Sequence, residues 1–261
     1  MQKILIILIF SFFCISSFAQ KWKLTRYEAI IGIGTANYFG DIGGTADENN
    51  WYGLKDIEIL STRPALVVGA RYKILQDLSV KLNLATIMIS GSDAGSKNDT
   101  RNHSFNTYGL EHSLQLEYSF ISEDARQRSF AYYNRRGMLN NFSRKSVYAF
   151  GGVGGFAALP YFTKGADYST DVIDDSFNYT GVLLSGLGVK MIWNNYISIG
   201  AEFGVRYAFN DFLDGFQNPK FGHEWFFGML NVNDIYYFTS VNLIYRIKTS
   251  RKGYPILFRN Y

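Results

Sequence analysis

The sequence has 261 residues, of which 17% are aromatic, only 4 are prolines and one is a cysteine, and its formal net charge is +4. So small a net charge argues against nucleic acid as a partner, and the aromatic content is typical of a strand-rich chain rather than a disordered one. The cysteine, Cys14, falls within a predicted leader. We therefore expect neither a disulfide framework nor a thiolate metal site in the mature chain.

Residues 1–19 have the pattern of a secretory signal peptide. Lys3 supplies the positive charge, residues 4–15 form an apolar core, and Ser17 to Ala19 offer a small-x-small cleavage site. The apolar core is too short to span a bilayer. We expect Sec-type export, cleavage after Ala19 and a mature chain that begins at Gln20.

Eight strands are predicted after the leader from the alternation of apolar and polar side chains, which a strand places on opposite faces. In the last strand, Leu243 and Tyr245 fall on one face while Asn242 and Arg246 fall on the other. No later stretch is continuously apolar over about 18 residues, which excludes transmembrane helices. The predicted strands are 27–39, 65–74, 78–89, 107–121, 146–157, 179–192, 196–209 and 234–248.

The lengths of the connections predict the topology. Residues 75–77 and 193–195 are tight turns, and long polar connections at 40–64, 90–106, 158–178 and 210–233 alternate with the short ones. This alternation is typical of outer-membrane barrels with short periplasmic turns. The predicted fold is all-β: residues 20–248 form one eight-stranded antiparallel up-and-down transmembrane β-barrel with both termini in the periplasm, followed by a tail at 249–261. Residues 122–145 break the rule, because a short turn is expected there.

Charged residues of both signs are predicted to point into the barrel, which at eight strands is only wide enough for its own side chains. We therefore expect a packed ion-pair network, with a proton or solute path through the glutamates as the alternative. Lys248 is expected beside Arg246, and the facing of the glycine-rich fifth strand stays open. The predicted interior residues are Arg71, Lys73, Lys81, Glu111, Glu117, Lys190, Glu202, Arg206 and Arg246.

Motifs that could suggest an enzyme have simpler explanations here. Glu111, His112 and Ser113 are consecutive, but on a strand His112 points away from the other two, so they cannot form a catalytic constellation. His103 and His223 lie in different loops, and the acidic stretch 171–175 supplies too few oxygen ligands for calcium. The glycines at 152–155 lack the lysine and helix of a phosphate-binding loop. No catalytic, cofactor-binding or metal-binding residue is predicted.

Six stretches of the chain resemble the outer-membrane barrel family typified by PorG, a component of the type IX secretion system. The resemblance implies a non-enzymatic barrel in the outer membrane of a Gram-negative bacterium, surrounded by lipid and contacting the periplasmic ring of the type IX apparatus. It spans nearly the whole mature chain. The stretches are 34–42 (GTANYFGDI), 63–72 with its Arg-Pro-Ala start and Arg-Tyr end, 113–118 (SLQLEY), 148–154 (YAFGGVG), 206–214 (RYAFNDFLD) and 233–238 (NDIYYF).

The long connection 122–145 is basic, with six arginines and lysines against two acidic residues, whereas the loops 40–64 and 158–178 are acidic. Arginine and tyrosine are favoured at protein interfaces. We expect a structural anchor that docks a periplasmic protein complex, and the alternative is a barrel enzyme or a narrow solute or ion channel. The predicted docking residues are Arg126, Arg128, Tyr132, Tyr133, Arg135, Arg136, Arg251, Lys252 and Tyr254.

Overall fold

The computed structural model of this protein describes residues 21–39, 42, 61–94, 102–123, 144–163, 172–173, 176–209, 213–214, 216–217, 234–250 and 254–256. A short 3-10 turn, Lys21–Leu24, precedes the first strand. The strands formed by these residues are β1 (Tyr27–Phe39), β2 (Arg63–Lys73), β3 (Leu78–Ser92), β4 (Ser104–Ile121), β5 (Lys145–Thr163), β6 (Val172–Ile173), β7 (Asn178–Ile192), β8 (Ile197–Ala208), β9 (Phe216–Gln217) and β10 (Ile235–Ile247).

Eight of these strands close into an antiparallel up-and-down barrel in the order β1-β10-β8-β7-β5-β4-β3-β2. β1 closes it by pairing with both β2 and β10, so that Ile33 lies opposite Leu66 on one side and Val241 on the other. β6 and β9 pair with each other as a separate two-stranded sheet, which the sequence did not predict. The predicted eight-stranded β-barrel is confirmed.

The two ends of the barrel differ in their connections. The start of β1, the end of β10 and the turns at 74–77 and 193–196 lie at one end, which we call the terminal end; the other is the loop end. In the first turn the Ile74 N–H donates to the Leu78 carbonyl at 2.9 Å. In the second, Asn194 Oδ1 accepts from the backbone N–H groups of Tyr196 and Ile197 at 2.8 and 2.7 Å. Asparagine stabilises tight turns in this way.

Five strands, β2, β3, β4, β5 and β7, extend further toward the loop end than predicted. The largest extension is that of β5. Its predicted end is Ala157, but residues 158–163 continue to pair with β4, Pro160 opposite Thr107. β5 pairs with β7 only as far as Ala158. Pro160 therefore lies where the strand has a single neighbour, the position at which a sheet tolerates proline.

The structure also settles the facing of β5. Its even-numbered side chains, including Tyr148, Phe150 and Phe156, are buried in the interior, while Val153 and Tyr161 are exposed outside. Glycines on neighbouring strands make room for the large inward rings: a Cβ on Gly188 would overlap the ring of Tyr148, and one on Gly109 would overlap that of Phe156. Glycine thus permits rings to fill an interior as narrow as this one.

The outer wall of the barrel is apolar. Aliphatic side chains with about half or more of their surface exposed occupy its middle, among them Ile33 at 68%, Leu114 at 52% and Leu187 at 61%. Aromatic pairs lie nearer the two ends: Tyr118 with Phe120 and Tyr196 with Tyr245 at the terminal end, Tyr108 with Tyr161 and Tyr207 with Phe209 at the loop end. Among the described residues, no helix is long and apolar enough to cross a membrane.

Candidate functional site: the barrel interior and its terminal mouth

All nine charged residues predicted to point inward lie in the interior, each at most 6% exposed. Arg71 is the centre of the largest group. Its guanidinium contacts Glu28 at 2.9 Å and Glu117 at 2.6 Å, and lies 5.2 Å from the centre of the Tyr148 ring. One arginine thus joins carboxylates carried by two other strands, because the planar guanidinium offers several N–H donors in different directions.

A second group of contacts adjoins Arg71. Lys81 Nζ lies 2.6 Å from both carboxylate oxygens of Glu202, and the Tyr148 hydroxyl donates to the same Glu202 at 2.6 Å. Arg71 reaches Glu202 at 3.4 Å, so that the two groups form one network. The members come from the terminal halves of six strands, β1, β2, β3, β4, β5 and β8. The terminal half of the interior is therefore ionic.

Arg206 and Glu111 form a separate pair nearer the loop end. Their closest atoms, Arg206 Nε and Glu111 Oε2, are 3.5 Å apart. Glu111 also accepts a 2.7 Å hydrogen bond from the Tyr236 hydroxyl, and the Arg206 guanidinium lies 4.4 Å from the centre of the Phe238 ring. Tyr236 and Phe238 both belong to the apolar cluster that fills the loop half of the interior.

Apolar side chains close the loop end. Leu213, from beyond β8, is 1% exposed and lies in the same buried cluster as Ile87, Phe105 and Phe156. Its backbone is fixed from two sides, because its carbonyl accepts from Thr107 Oγ1 at 2.5 Å and its N–H donates to Asp234 at 2.9 Å. The interior thus changes from an ion-pair network at the terminal end to a mainly apolar cluster at the loop end, where the buried carboxyls of Asp214 and Asp234 accept from the Tyr38 hydroxyl.

At the terminal end the interior has a small opening lined by Lys73, Glu123 and Lys190, which we call the terminal mouth. Glu123 lies just beyond the end of β4. Lys190 Nζ is 2.7 Å from Glu123 Oε1, and Lys73 pairs with the same oxygen. Burial by itself raises the pKa of the Glu123 carboxyl, but Lys190 and Lys73 outweigh it and hold the pKa below its usual value near 4.5. Beside it is a cavity of about 10 Å³, close to the smallest volume that holds one water molecule.

Arg246 lies at the same mouth, and its neighbour Lys248 corrects an expectation. Arg246 is 4% exposed and donates to Thr25 Oγ1 at 3.1 Å. Lys248 was expected inside but is exposed, and its Nζ donates to the Tyr196 hydroxyl at 2.8 Å. β10 ends at Ile247, so the alternation of the strand no longer decides where Lys248 points.

Comparison with protein families gives a match over residues 2–252, to the family described as "Domain of unknown function (DUF6089)". The chain belongs to this family. The family's description assigns no activity, and the comparisons name no PorG relative. Curated protein sequences give no match.

Solved structures similar to this DUF6089 barrel include the following three. Neisserial surface protein A is 12% identical with a TM-score of 0.43, over 84% of this chain and 96% of that one. The outer membrane protein OprG from Pseudomonas aeruginosa is 13% identical with a TM-score of 0.44, over 85% and 95%. Ail, the attachment invasion locus protein of Yersinia pestis, is 13% identical with a TM-score of 0.39, over 85% and 98%. At these values the likeness gives no information on what this DUF6089 chain binds.

The catalytic and metal candidates stay apart in the DUF6089 barrel. His112 lies on the outer wall, where its Nε2 is 3.1 Å from the Tyr179 hydroxyl, whereas Glu111 and Ser113 are buried inside. His103 is buried and its backbone N–H donates to Asp93 at 3.1 Å. His223 and most of the stretch 171–175 lie outside the described residues. In the described part of the chain, no three histidine, cysteine or acidic side chains are grouped to hold a metal ion.

Most of the predicted docking residues lie outside the described residues, and only Tyr254 is placed. It is 70% exposed at the terminal end, where Thr249 and Pro255 form an antiparallel bridge. The Ile256 N–H donates to the Lys248 carbonyl at 2.8 Å, so the tail doubles back beside the end of β10. The residues not described are Arg126, Arg128, Tyr132, Tyr133, Arg135, Arg136, Arg251 and Lys252.

Three members of the ionic network were not predicted: Glu28, Tyr148 and Glu123. The sequence did contain a signal for Glu28, because Ile31 and Ile33 point outward and the alternation therefore turns every even position of β1 inward. Tyr148 follows from the facing of β5 once that is known. Glu123 lies outside any strand, and no periodicity indicates where its side chain points.

Proposed function

We propose that this chain is a β-barrel of the outer membrane of a Gram-negative bacterium, exported by its leader and oriented with the terminal end in the periplasm. The observation that carries the proposal is the apolar outer wall around a closed barrel. A closed barrel satisfies its backbone hydrogen bonds between strands, which a chain surrounded by lipid requires. Aliphatic side chains between two levels of aromatic rings are the pattern of strands that cross a bilayer.

The filled interior supports an anchor rather than a pore or an enzyme. The terminal half is occupied by paired charges such as Arg71 with Glu117 and Lys81 with Glu202, and the loop half by apolar side chains around Phe156. An aqueous channel requires many more strands. The barrel therefore holds whatever its periplasmic face binds at a fixed position in the membrane.

The partner we propose is a periplasmic protein complex, and the PorG-like resemblance names it as the ring of the type IX secretion system. The basic connection after Glu123 and the exposed Tyr254 support this proposal, since both belong to the terminal end. Exposed cations mainly steer association and set its salt dependence, while buried arginine and tyrosine side chains carry the affinity.

Replacing both Arg135 and Arg136 with glutamate tests the proposed docking. We expect weaker capture of periplasmic proteins by cross-linking from intact membranes, with heat-modifiable gel migration of the barrel unchanged. The matched control is Lys55→Glu, a cation in the opposite, acidic loop, which should leave capture unchanged. Full partner recovery and normal secretion in both the double variant and a deletion of residues 126–143 would refute docking through this segment.

A further inference from the structure

The strands place more positive than negative charge in the terminal half of the interior. Three carboxylates from strands face five cations, and the fourth carboxylate, Glu123, comes from beyond the end of β4. Its role is to reduce an excess of buried positive charge that the strands alone leave at the mouth. The strand-borne cations are Arg71, Lys73, Lys81, Lys190 and Arg246, and the strand-borne carboxylates are Glu28, Glu117 and Glu202.

Glu123 fills a site whose other members, Glu28, Lys73 and Lys190, lie on paired strands. Lys190 Nζ lies between Glu28 at 3.0 Å and Glu123 at 2.7 Å, and Lys73 also pairs with both. Glu28 is held by the pairing of β1 with two neighbours, whereas Glu123 lies beyond the last paired residue of β4. The side chain is 4% exposed, and its second oxygen, Oε2, has no hydrogen-bond partner among the described residues.

The lining of the mouth is suited to a carboxylate. Beside Glu123 the cavity is lined by Lys73 and Lys190 and by the hydroxyls of Ser119 and Ser146, which lie 3.3 Å apart. The carboxylate of Glu117 also lines it, but that carboxylate is paired with Arg71 at 2.6 Å. Ammonium groups and hydroxyls together donate to both oxygens of a carboxylate. The space beside Glu123 holds about one water molecule, so a second carboxylate fits only where the Glu123 carboxylate now lies.

We propose that the terminal mouth is a carboxylate-binding site, filled by Glu123 of the same chain and open to an acidic side chain of the docking partner in its place. This deepens the proposed docking function and rests on it. The basic residues of the connection follow directly after Glu123 in the sequence. A partner bound to these residues would therefore be attached to the chain close to Glu123. When Glu123 leaves, Glu28 alone remains to pair with both Lys73 and Lys190. The uncompensated buried positive charge is costly, so we expect another carboxylate to replace the one that leaves.

The site can be tested on the purified barrel without any partner, by adding formate to Glu123→Ala. This variant removes the charge and leaves a space, so sodium formate should raise its midpoint of thermal unfolding above that in sodium chloride of equal concentration. A ligand as small as formate binds with a Kd no tighter than about 1 mM, and the effect should saturate between about 1 and 100 mM. If Glu123→Ala does not fold, its refolded fraction in formate and in chloride is compared instead.

Two variants serve as controls. Glu123→Gln loses the same charge but fills the space with an amide, so formate should have no more effect on it than chloride. Glu123→Ala combined with Lys190→Met removes a cation that holds the anion, and the formate effect should disappear. An equal response to formate and chloride in Glu123→Ala, or an undiminished formate response in either control, would overturn the site.

Partner capture distinguishes this inference from the docking proposal. If Glu123 competes with the partner's carboxylate, Glu123→Gln should recover more periplasmic partner than the wild type, whereas the Arg135 and Arg136 variant should recover less. Unchanged recovery with Glu123→Gln, together with reduced recovery in the arginine variant, would overturn the exchange and leave docking intact. If formate stabilises Glu123→Ala but the wild-type barrel captures no periplasmic protein, the carboxylate-binding site would stand and the docking partner would be refuted.

Discussion

An arginine in the middle of the outer wall should destabilise the barrel by an amount that depends on its depth. Ile33 lies midway between Tyr27 and Phe39, the ends of β1, and is 68% exposed. At the bilayer midplane an arginine on the lipid face of a barrel costs about 2–4 kcal/mol, falling to about 0–1 kcal/mol near the interfaces. Ile33→Arg should therefore lower the folding equilibrium constant by roughly 30 to 800-fold.

Ala29→Arg is the matched control, on the same strand and the same outward face. It lies closer to Tyr27 by four positions, which at about 3.4 Å per residue and a tilt of about 40° is about 10 Å along the membrane normal. Its arginine can reach the interface, so the loss should stay below about 1 kcal/mol. Ile33→Ala measures the loss of the isoleucine alone.

The assay is reversible unfolding by denaturant in lipid vesicles, followed by tryptophan fluorescence. After the loss measured for Ile33→Ala is subtracted, Ile33→Arg should lose clearly more folding free energy than Ala29→Arg. Equal losses at Ile33 and Ala29, or none at either, would show that this wall does not face hydrocarbon. Such a result would refute the proposed membrane location but not the barrel fold.

Three further outcomes follow from the interior. Reconstituted monomer should show no steady ion conductance in planar bilayers, and reproducible large steps would contradict the filled interior. Gly109→Leu should destabilise the barrel by about 1–3 kcal/mol, because the new side chain competes with the Phe156 ring; Gly151→Leu, whose Cβ has ample space, is its control in the same denaturant titration. Ionised Glu123 should contribute stability above its unfolded pKa near 4.5, and this stability is lost as pH falls through its lowered folded pKa. Glu123→Gln should therefore flatten the loss of stability as pH falls below the unfolded pKa.

Alternation along the strands made most of the fold predictable. The predicted limits of the first strand coincide with those of β1, where Ala29, Ile31 and Ile33 fall on the exposed face and no glycine-rich run obscures the period. The facing of the fifth strand stayed open for the opposite reason. Its four glycines at 151, 152, 154 and 155 carry no side chain to indicate a face. Pairing with β4 and β7 supplied the missing information.

The candidate site was predictable only as far as it lies on strands. A charge that breaks an apolar alternation indicates an inward position, and this placed Lys81, Glu202 and Arg206. The partners of each charge could not be predicted, since they depend on the tilt and register of strands far apart in sequence. Glu123 reaches Lys73 and Lys190 from a connection, and such a contact has no local signature.

The division of the interior into an ionic and an apolar half bears on how the barrel enters a bilayer. In the proposed orientation the loop end has to traverse the hydrocarbon during insertion, and it carries apolar interior side chains such as Ile87, Phe105 and Phe156. The charges around Arg71 belong to the trailing half and stay near the periplasmic surface. Because ionised groups in hydrocarbon are costly, an ion-pair network in the trailing half has the advantage that its charges do not have to cross the bilayer.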